Sequence, residues 1–335
     1  MVRRYVLFVM ALTLVLSVVL SACGSSNTSA QTSASLTPQR TRYPVTITDC
    51  SGRTTTYTKV PERVVTIDPS VTEMLLVLGL REKIVGYTEF FTPDQQWTTT
   101  KSDMTRLHMI NDGANYPSKE AIIALKPDLV TSVYSYAFTD PLPDRAGWNA
   151  LGIHAYQALG GCYQGNLPSD FSLLYQDMRN FGMIFDVQSR AEMEIAKIQT
   201  RVTELQKEAR DAGLKAMIIA PYDGYDKQPT FYGGMENAVI SLVGAKYIWA
   251  NATSYASPSW EEFVAANPQV IWLIPDAGVS IEVLKHRLES DPRFTTVSGI
   301  KNKAYIIVPQ ADATIESPRL VDGMEKMING LLALK

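Results

Sequence analysis

Residues 189–212 read SRAEMEIAKIQTRVTELQKEARDA, a pattern that predicts one long, uninterrupted helix. Ser189 and Glu192 have the spacing of a capping box at its start, and Gly213 suits the position just after its end. Apolar residues recur at alternating steps of three and four, so one face of the helix is apolar: Ile195, Ile198, Val202, Leu205 and Ala209. At about 1.5 Å per residue the helix is roughly 35 Å long, which is longer than one small α/β lobe is thick.

The segments on the two sides of this helix resemble each other. Both alternate short apolar β-type runs with helical patterns, which is typical of parallel sheets covered by helices on both faces. We therefore predict an α/β fold in which two parallel-sheet lobes, residues 42–188 and 214–335, are joined by a single long helix over 189–213. The alternative is that this helix is an ordinary surface helix of a single domain.

One pattern occurs once in each predicted lobe. Ser118 is followed two positions later by Glu120, and Ser259 is followed two positions later by Glu261. In both cases an apolar helix, a proline and a predicted strand come next, with the proline at the same distance from the glutamate. Each serine is the predicted N-cap residue of its helix. The repetition indicates that the two lobes are related by internal pseudo-symmetry.

The composition limits the class of protein. The 335 residues are 46% hydrophobic and 19% charged, which is typical of a globular protein with one large or two medium domains. The net charge of -3 gives no electrostatic reason to expect nucleic acid as a partner.

Catalytic signatures are absent from the sequence. It contains no G-x-S-x-G, P-loop, G-x-G-x-x-G or H-E-x-x-H motif, and its three histidines, His108, His154 and His286, lie far apart. We therefore predict that the protein is not an enzyme, with no catalytic residue, no cofactor and no directly bound metal. Paired carboxylates could still meet in a cleft, as in glycosidases, so an extracellular hydrolase on a similar two-lobed scaffold is the alternative.

The N-terminus has the pattern of an export signal with a lipid-attachment site. Basic residues 3–4 precede an apolar run over 5–20, and Leu-Ser-Ala then leads to Cys23, which resembles the lipobox of bacterial lipoproteins. We predict a signal peptide over 1–22, a lipid on Cys23, and a Ser/Thr-rich flexible tether over 23–41 at the outer face of the cell membrane. The alternative is an uncleaved membrane anchor.

Two cysteines remain after Cys23. Cys50 lies in the turn of a predicted hairpin over 45–57, and Cys162 follows a predicted strand over 153–157 in the same lobe. Export permits disulfides, so we predict a bridge between these two cysteines. The alternative is two free thiols.

The sequence PERVVTIDPSVTEMLLVLG over 61–79, followed by Ile84-Val-Gly86, resembles the opening of the iron–siderophore and cobalamin substrate-binding proteins of ABC importers. The repeated Glu-to-Pro segments and Asn180-Phe-Gly182 also match that family, and the resemblance covers residues 44–334. It implies a class III periplasmic binding protein fold with a rigid interlobe helix and limited closure around a ligand.

The resemblance also implies a function. A monomeric, lipid-anchored protein would capture an iron–siderophore, a similar metal chelate or a corrinoid between its lobes. It would then deliver this bulky ligand to an ABC permease dimer with its ATPase subunits. The 138–162 region resembles a Gram-positive branch that includes proteins proposed to carry a deazaflavin-cofactor precursor, which is an alternative ligand. A surface lipoprotein that only contacts another protein is a further alternative.

The family resemblance implies that Glu120 and Glu261 meet arginines of the permease. The pseudo-symmetry supports this role, since it repeats the same acid in both lobes. Acids are also common in the first turn of a helix for stability alone, by about 0.3–1 kcal/mol, and this reading stays open.

Ligands of parallel sheets bind beyond the carboxyl ends of the strands, so the segments that follow the strands supply the candidate binding residues. In the first lobe these are Asp68, Tyr87, Glu89, Phe90, Tyr134, Tyr136 and Gln157, and in the second Tyr222, Asp223, Tyr225, Tyr232, Asp276 and Gln310. Tyrosine suits large amphipathic ligands, although each tyrosine is equally typical of a half-buried packing position. Acids outnumber bases in these segments, which favours a neutral or cationic ligand over a polyanion.

Overall fold

Two four-stranded parallel sheets form the frame of the part of the chain that the computed structural model describes, residues 40–90, 96–110, 116–161, 167–214, 217–224, 234–251, 259–274 and 279–335. All of these residues belong to one compact unit, Pro38–Lys335. Strands of the N-terminal half are β1 Val45–Thr48, β2 Thr54–Tyr57, β3 Val64–Thr66, β4 Ile84–Tyr87, β5 Leu129–Ser132 and β6 His154–Gln157. Strands of the C-terminal half are β7 Ile218–Tyr222, β8 Lys246–Tyr247, β9 Val270–Leu273 and β10 Tyr305–Ile307.

The strand order is β4-β3-β5-β6 in the first sheet and β10-β9-β7-β8 in the second, while β1 and β2 form the predicted antiparallel hairpin. The helices are α1 Pro69–Val77, α2 Thr98–Met104, α3 Lys119–Ala124, α4 Arg145–Ala150, α5 Ser172–Ile184, α6 Gln188–Asp211, α7 Glu236–Leu242, α8 Trp260–Ala266, α9 Ile281–Ser290, α10 Ser298–Lys301, α11 Gln310–Ala313 and α12 Leu320–Ala333. The predicted α/β fold, with two parallel-sheet lobes joined by one long helix, is confirmed. We call the first sheet and its helices the N-terminal lobe, and the second sheet and its helices the C-terminal lobe.

The helix that joins the lobes is α6. All five residues of its predicted apolar stripe are buried, and Gly213 after its end has a positive φ of 62°. The predicted capping box is wrong, because α6 begins at Gln188 with Val187 at the N-cap position and no side-chain cap. Glu192 instead pairs with Arg179 of α5 at 2.7 Å, since the chain turns tightly from α5 into α6 and brings these side chains together.

The two ends of α6 contact different lobes. Near its start, Arg190 Nε donates to the carbonyl of Val77 at the end of α1, at 2.9 Å. Further along, Arg201 Nη2 lies 3.2 Å from Glu325 of α12. The largest group of contacting buried apolar side chains likewise continues from the N-terminal lobe along α6 into the C-terminal lobe. The helix therefore shares one core with both lobes, and two smaller cores lie on the outer faces of the sheets.

The sequence repeat is also a structural repeat. Ser118 and Ser259 cap α3 and α8, and each side-chain oxygen accepts a hydrogen bond from the backbone N–H three residues on, at 3.1 Å. After each helix, directly before a proline, comes a non-glycine residue with positive φ: Lys126 at 49° and Asn267 at 48°. The strands β5 and β9 follow at equivalent places, as the pseudo-symmetry predicts.

Two helices of the N-terminal lobe are set by packing and capping. The sequence of α2 is polar and lacks apolar periodicity, and only its Thr100 and Met104 are buried, where the helix packs against α1. Helix α4 begins at Arg145, because Asp144 caps it by accepting a hydrogen bond from Gly147 N–H at 2.7 Å.

The membrane-related predictions concern residues that lie mostly outside the described part of the chain. Residues 1–39, which include the predicted signal peptide, Cys23 and nearly all of the tether, lie outside the described residues. Within the described ranges, none of the helices combines the length and the apolar character needed to span a bilayer. The boundaries predicted for the leader, the tether and the two lobes stay predictions.

Candidate functional site

Four aromatic rings meet at the carboxyl edge of the first sheet, and we call them the aromatic cluster: Phe90, Tyr116, Tyr134 and Tyr136. Tyr134 and Tyr136 stack with their centroids 5.4 Å apart and their planes at 14°. Tyr116 lies 4.0 Å from Tyr136 on centroids, and the ring of Phe90 stands edge-on to both Tyr116 and Tyr136. The outer two rings are open to solvent, with Phe90 41% and Tyr116 48% exposed.

The parallel sheet explains why these rings converge. Phe90 follows β4, and Tyr134 and Tyr136 follow β5, so all three leave the sheet at the same edge. The Tyr136 hydroxyl donates to the carbonyl of Ile67, which follows β3, at 3.1 Å and so holds its ring in place. Neighbouring exposed rings at a sheet edge mark a candidate site for a ligand or partner.

Tyr116 is the functional candidate that sequence reasoning missed. It lies just before the Ser118 cap of α3, at the end of a segment with weak periodicity. Its approach to the other rings depends on the path of the chain between β4 and α3, for which the sequence offers no local signal.

Asp68 was predicted as a binding residue, but the structure gives it a structural role. Its side chain has no exposed surface and is fully engaged: Oδ1 accepts from Val71 N–H at 2.9 Å, and Oδ2 from Ser132 Oγ at 2.7 Å and Val133 N–H at 2.8 Å. Burial raises the pKa of Asp68, and these hydrogen bonds oppose the shift. Asp68 therefore caps α1 and braces β3 against β5, and it is not available to a ligand.

Gln157, Tyr87 and Tyr222 are also structural. Gln157 is 2% exposed and donates from Nε2 to the carbonyl of Val133 at 3.2 Å. Tyr87 and Tyr222 are 4% exposed, and Tyr222 packs against Trp260 with centroids 6.0 Å apart. Burial raises the pKa of both tyrosines. For these two the packing alternative was the correct one, because strand-end tyrosines here complete the cores.

Three predicted residues stay candidates. Glu89 is buried next to the aromatic cluster and accepts from Phe90 N–H at 3.0 Å. Asp223 and Gln310 are half-buried and follow β7 and β10 at the carboxyl edge of the second sheet. Tyr225, Tyr232 and Asp276 lie outside the described residues.

Buried polar side chains join the two lobes below this edge. Arg319 Nη1 lies 3.0 Å from Glu73 Oε1 of α1, and Arg319 Nη2 lies 2.6 Å from Asp312 Oδ1. Burial raises the pKa of Glu73 to about 7, although the charge of Arg319 opposes the shift. Trp97 Nε1 donates to Asp322 Oδ2 at 2.8 Å, which adds a second interlobe contact. The relative position of the lobes is thus held by specific polar contacts as well as by α6.

The N-terminal hairpin is tied to the same edge. Cys50 is disulfide-bonded, and its backbone N–H donates to the carbonyl of Gln157 at the end of β6, at 3.2 Å. Arg145 Nε lies 3.2 Å from Asp49 Oδ2, next to this cysteine. Cys162 lies outside the described residues, so its pairing with Cys50 stays a prediction.

Glu120 and Glu261 are exposed at the second position of α3 and α8. Glu262, one residue on, completes a capping box with Ser259, so Glu261 is left with no capping role. One such exposed acid lies in each lobe, and their contact with a permease stays a prediction.

A cavity of about 490 Å³ lies along α6, where α1, α2 and the start of α12 meet it, and none of its described lining residues belongs to the aromatic cluster. The basic side chains of its lining are already paired: Arg190 with the Val77 carbonyl, Lys197 with Glu194 and Arg201 with Glu325. Across the described ranges no three His, Cys, Asp or Glu side chains are grouped so that they could hold a metal ion. The aromatic cluster is therefore the better candidate for ligand binding.

Comparison with known proteins gives one family. The model of the periplasmic binding protein family matches residues 64–311. An uncharacterized ABC transporter substrate-binding lipoprotein of Bacillus subtilis is 24% identical over 296 residues, which is 86% of each chain. A cobalamin-binding protein of Halobacterium salinarum is 26% identical over 300 residues, 86% of this chain and 74% of that protein.

Solved structures share the fold. A periplasmic binding protein from Veillonella parvula superposes with a TM-score of 0.73 at 22% identity, covering 85% of this chain and 96% of that chain. A protein of an ABC-type Fe3+-hydroxamate transport system from Saccharomonospora viridis has a TM-score of 0.71 at 21% identity, covering 86% and 99%.

Proposed function

The chain belongs to the periplasmic binding protein family, and on this premise we propose that it captures a bulky metal chelate or corrinoid between its lobes for an ABC importer. Proteins of this kind bind a small ligand outside the cytoplasm and work with permease and ATPase components. The observation that carries the proposal is the aromatic cluster, with the exposed rings of Phe90 and Tyr116 at the sheet edge where ligands of parallel sheets bind.

The ligand class follows from the chemistry of this edge. Flat aromatic faces with hydroxyl tips suit a large amphipathic ligand. Glu89 adds a carboxyl group next to these rings, and Asp223 adds one at the carboxyl edge of the second sheet. A polyanionic catecholate or carboxylate siderophore would need arginines and lysines at this place. A hydroxamate chelate or a corrinoid fits better, and relatives named for cobalamin and Fe3+-hydroxamate support this choice.

Calorimetry on the purified chain without its leader tests the ligand class. We expect tight, saturable binding of a ferric hydroxamate or of cobalamin. Tight binding of a ferric polycarboxylate with no binding of a hydroxamate or a corrinoid would contradict the ligand class. Turnover of a panel of ester, glycoside and phosphate substrates, with no binding of any chelate, would favour the hydrolase alternative instead.

We also propose that Cys23 carries the lipid that anchors the protein to the outer face of the cell membrane. The lipobox-like pattern before Cys23 supports this, and a relative of similar length is named a lipoprotein. Cys23→Ser should release the protein from the membrane fraction or leave it unprocessed. Equal incorporation of labelled fatty acid in wild type and variant would exclude lipidation at this residue.

A further inference from the structure

Two buried carboxyl groups face each other where the lobes meet. Asp177 belongs to α5 of the N-terminal lobe, and Glu316 follows α11 of the C-terminal lobe. Asp177 has no exposed surface and Glu316 is 2% exposed. Both carboxyl groups lie against Gly160, whose N–H is 3.3 Å from Asp177 Oδ2 and which has no Cβ atom in the space taken by Glu316 Oε2, and each changes the proton affinity of the other. They form a direct contact between the lobes that the binding function does not use.

Asp177 is fully supported by its own lobe. Its Oδ1 accepts from the Tyr156 hydroxyl at 2.5 Å, and its Oδ2 accepts from Leu159 N–H at 2.7 Å and Gly160 N–H at 3.3 Å. Asn180 Nδ2 donates to the same Tyr156 oxygen at 2.8 Å and fixes that hydroxyl. Contacts within the N-terminal lobe therefore fix the position of the Asp177 carboxyl without any contribution from Glu316.

Glu316 has less support than Asp177, although the Gly160 N–H favours its ionised form. Within the described part of the chain, neither of its carboxyl oxygens has a hydrogen-bond donor in proper geometry. The carboxyl group sits directly on Gly160, where a Cβ atom would lie 1.5 Å from Oε2. The glycine thus leaves the space that Glu316 fills, and a carboxyl of one lobe is seated in a recess of the other.

Among the residues that the structure describes, no positive charge compensates the pair. Asp68 also faces Glu316 and disfavours its ionisation, and the Tyr156 hydroxyl contacts Asp177. The guanidinium of Arg319, three residues further along, is held by Glu73 and Asp312. Two ionised carboxylates cannot share such a buried site, whereas one proton between them makes an O–H···O hydrogen bond that satisfies Glu316.

We propose that Asp177 and Glu316 share one proton and form a pH-dependent latch between the two lobes. While the proton is present, the latch holds the segment after α11 onto Gly160. When the proton is lost, the two carboxylates repel each other and the contact opens. The latch does not depend on which ligand the protein binds, so its test needs none, and its failure would leave the proposed function untouched.

The direction of the pH dependence follows from the burial. Burial raises the pKa of both groups, while hydrogen bonds from Tyr156, Gly160 and Leu159 oppose the shift for Asp177. The folded protein therefore holds the proton more tightly than the unfolded chain does. The stabilisation is complete below the pKa of an ordinary carboxyl, about 4, and is lost as the pH rises through the raised pKa values of the pair.

The test compares melting temperatures of the full chain without its leader from pH 4.5 to pH 9. Glu316→Gln keeps the shape and supplies a permanent N–H donor to Asp177, so it has no proton to lose. We expect the melting temperature of the wild type to fall across this range by at least about 2 °C more than that of the variant. The matched control is Glu282→Gln on the exposed start of α9, which should follow the wild type.

Hydrogen exchange of the peptide spanning residues 156–161 supplies a readout specific to the interface. After correction for intrinsic rates, its protection should decrease as the pH rises from 4.5 to 9 in the wild type and stay constant in Glu316→Gln. Asp177→Asn should remove the pH dependence in the same way and serves if Glu316→Gln does not fold. Two outcomes would overturn the latch and show that Glu316 only fills space. In one, the Glu316→Gln variant has the same pH profile as the wild type. In the other, its melting temperature is lower than that of the wild type by the same amount at every pH.

Discussion

Arg319 Nη1 lies 3.0 Å from Oε1 of Glu73, a residue 246 positions earlier in the chain. The two side chains are 3% and 1% exposed, and they connect α1 of the N-terminal lobe with the segment before α12 of the C-terminal lobe. A buried pair of this kind adds little net stability, since both charges lose their hydration. Removing one partner nevertheless lowers the free energy of unfolding strongly, because the other charge stays buried without compensation. The pair therefore specifies how the lobes sit on each other more than it strengthens the fold.

Arg319→Met tests this contact. The change leaves the Glu73 and Asp312 carboxyls without the guanidinium they share, so we expect a loss of about 3–5 kcal/mol in the free energy of unfolding, measured by urea denaturation. Arg201→Met on α6 is the control, because Arg201 is 32% exposed and pairs with Glu325 at the surface. That control should lose less than about 1 kcal/mol. Equal losses in the two variants would contradict the special role of the buried pair.

Tyr116→Ala tests the aromatic cluster. Removing a ring that is covered on binding should weaken affinity about 10- to 100-fold, since a large apolar side chain contributes about 1.5–3 kcal/mol when buried. Tyr116→Phe keeps the ring and should stay close to the wild type. Leu151→Ala, at a 51% exposed position on the opposite edge of the sheet, should bind normally. Calorimetry with the chelate found for the wild type measures all three, and unchanged affinity in Tyr116→Ala would exclude this ring from the site.

Glu120→Ala together with Glu261→Ala tests docking on the permease. Both side chains are exposed, so ligand affinity and melting temperature should barely change, while uptake by cells is lost. Glu262→Ala is the matched control: its carboxylate accepts from Ser259 N–H at 2.7 Å, so this variant should melt earlier and still support uptake. Normal uptake by the double variant at wild-type expression would leave helix stability as the only role of the two acids.

His154 makes stability sensitive to acid. Its half-buried ring packs against Tyr57 with centroids 4.9 Å apart, and burial lowers its pKa while Asp128 opposes the shift. The folded protein therefore binds this proton less well than the unfolded chain, and the stabilisation is complete above about pH 6.5 and lost as the pH falls below it. His154→Gln should flatten the melting-temperature profile on the acid side of pH 6.5. The control is His286→Gln, at an exposed position on α9, which should keep the wild-type profile of melting temperature against pH. If His154→Gln has the same profile as the wild type and this control, His154 is not the group that makes stability sensitive to acid.

The candidate site was only partly predictable. Phe90, Tyr134 and Tyr136 were found because the strand-end rule needs only the order of strands along the chain. Tyr116 was missed, since its segment has no periodic pattern. Its contact with the other rings is a tertiary contact that no local pattern predicts. Asp68 was misassigned because an acid after a strand looks the same in sequence whether it caps the next helix or faces a ligand.

The sequence by itself determined the elements whose signal is local. The apolar stripe of α6, the β1–β2 hairpin and the serine caps of α3 and α8 depend on residues within a few positions of each other, and all are present. Only the tertiary structure decided the interlobe contacts, Glu73 with Arg319 and Asp177 with Glu316. The physical reason is that burial of a polar group, and the partner that compensates it, depend on how two lobes far apart in sequence dock, and no local pattern encodes that geometry.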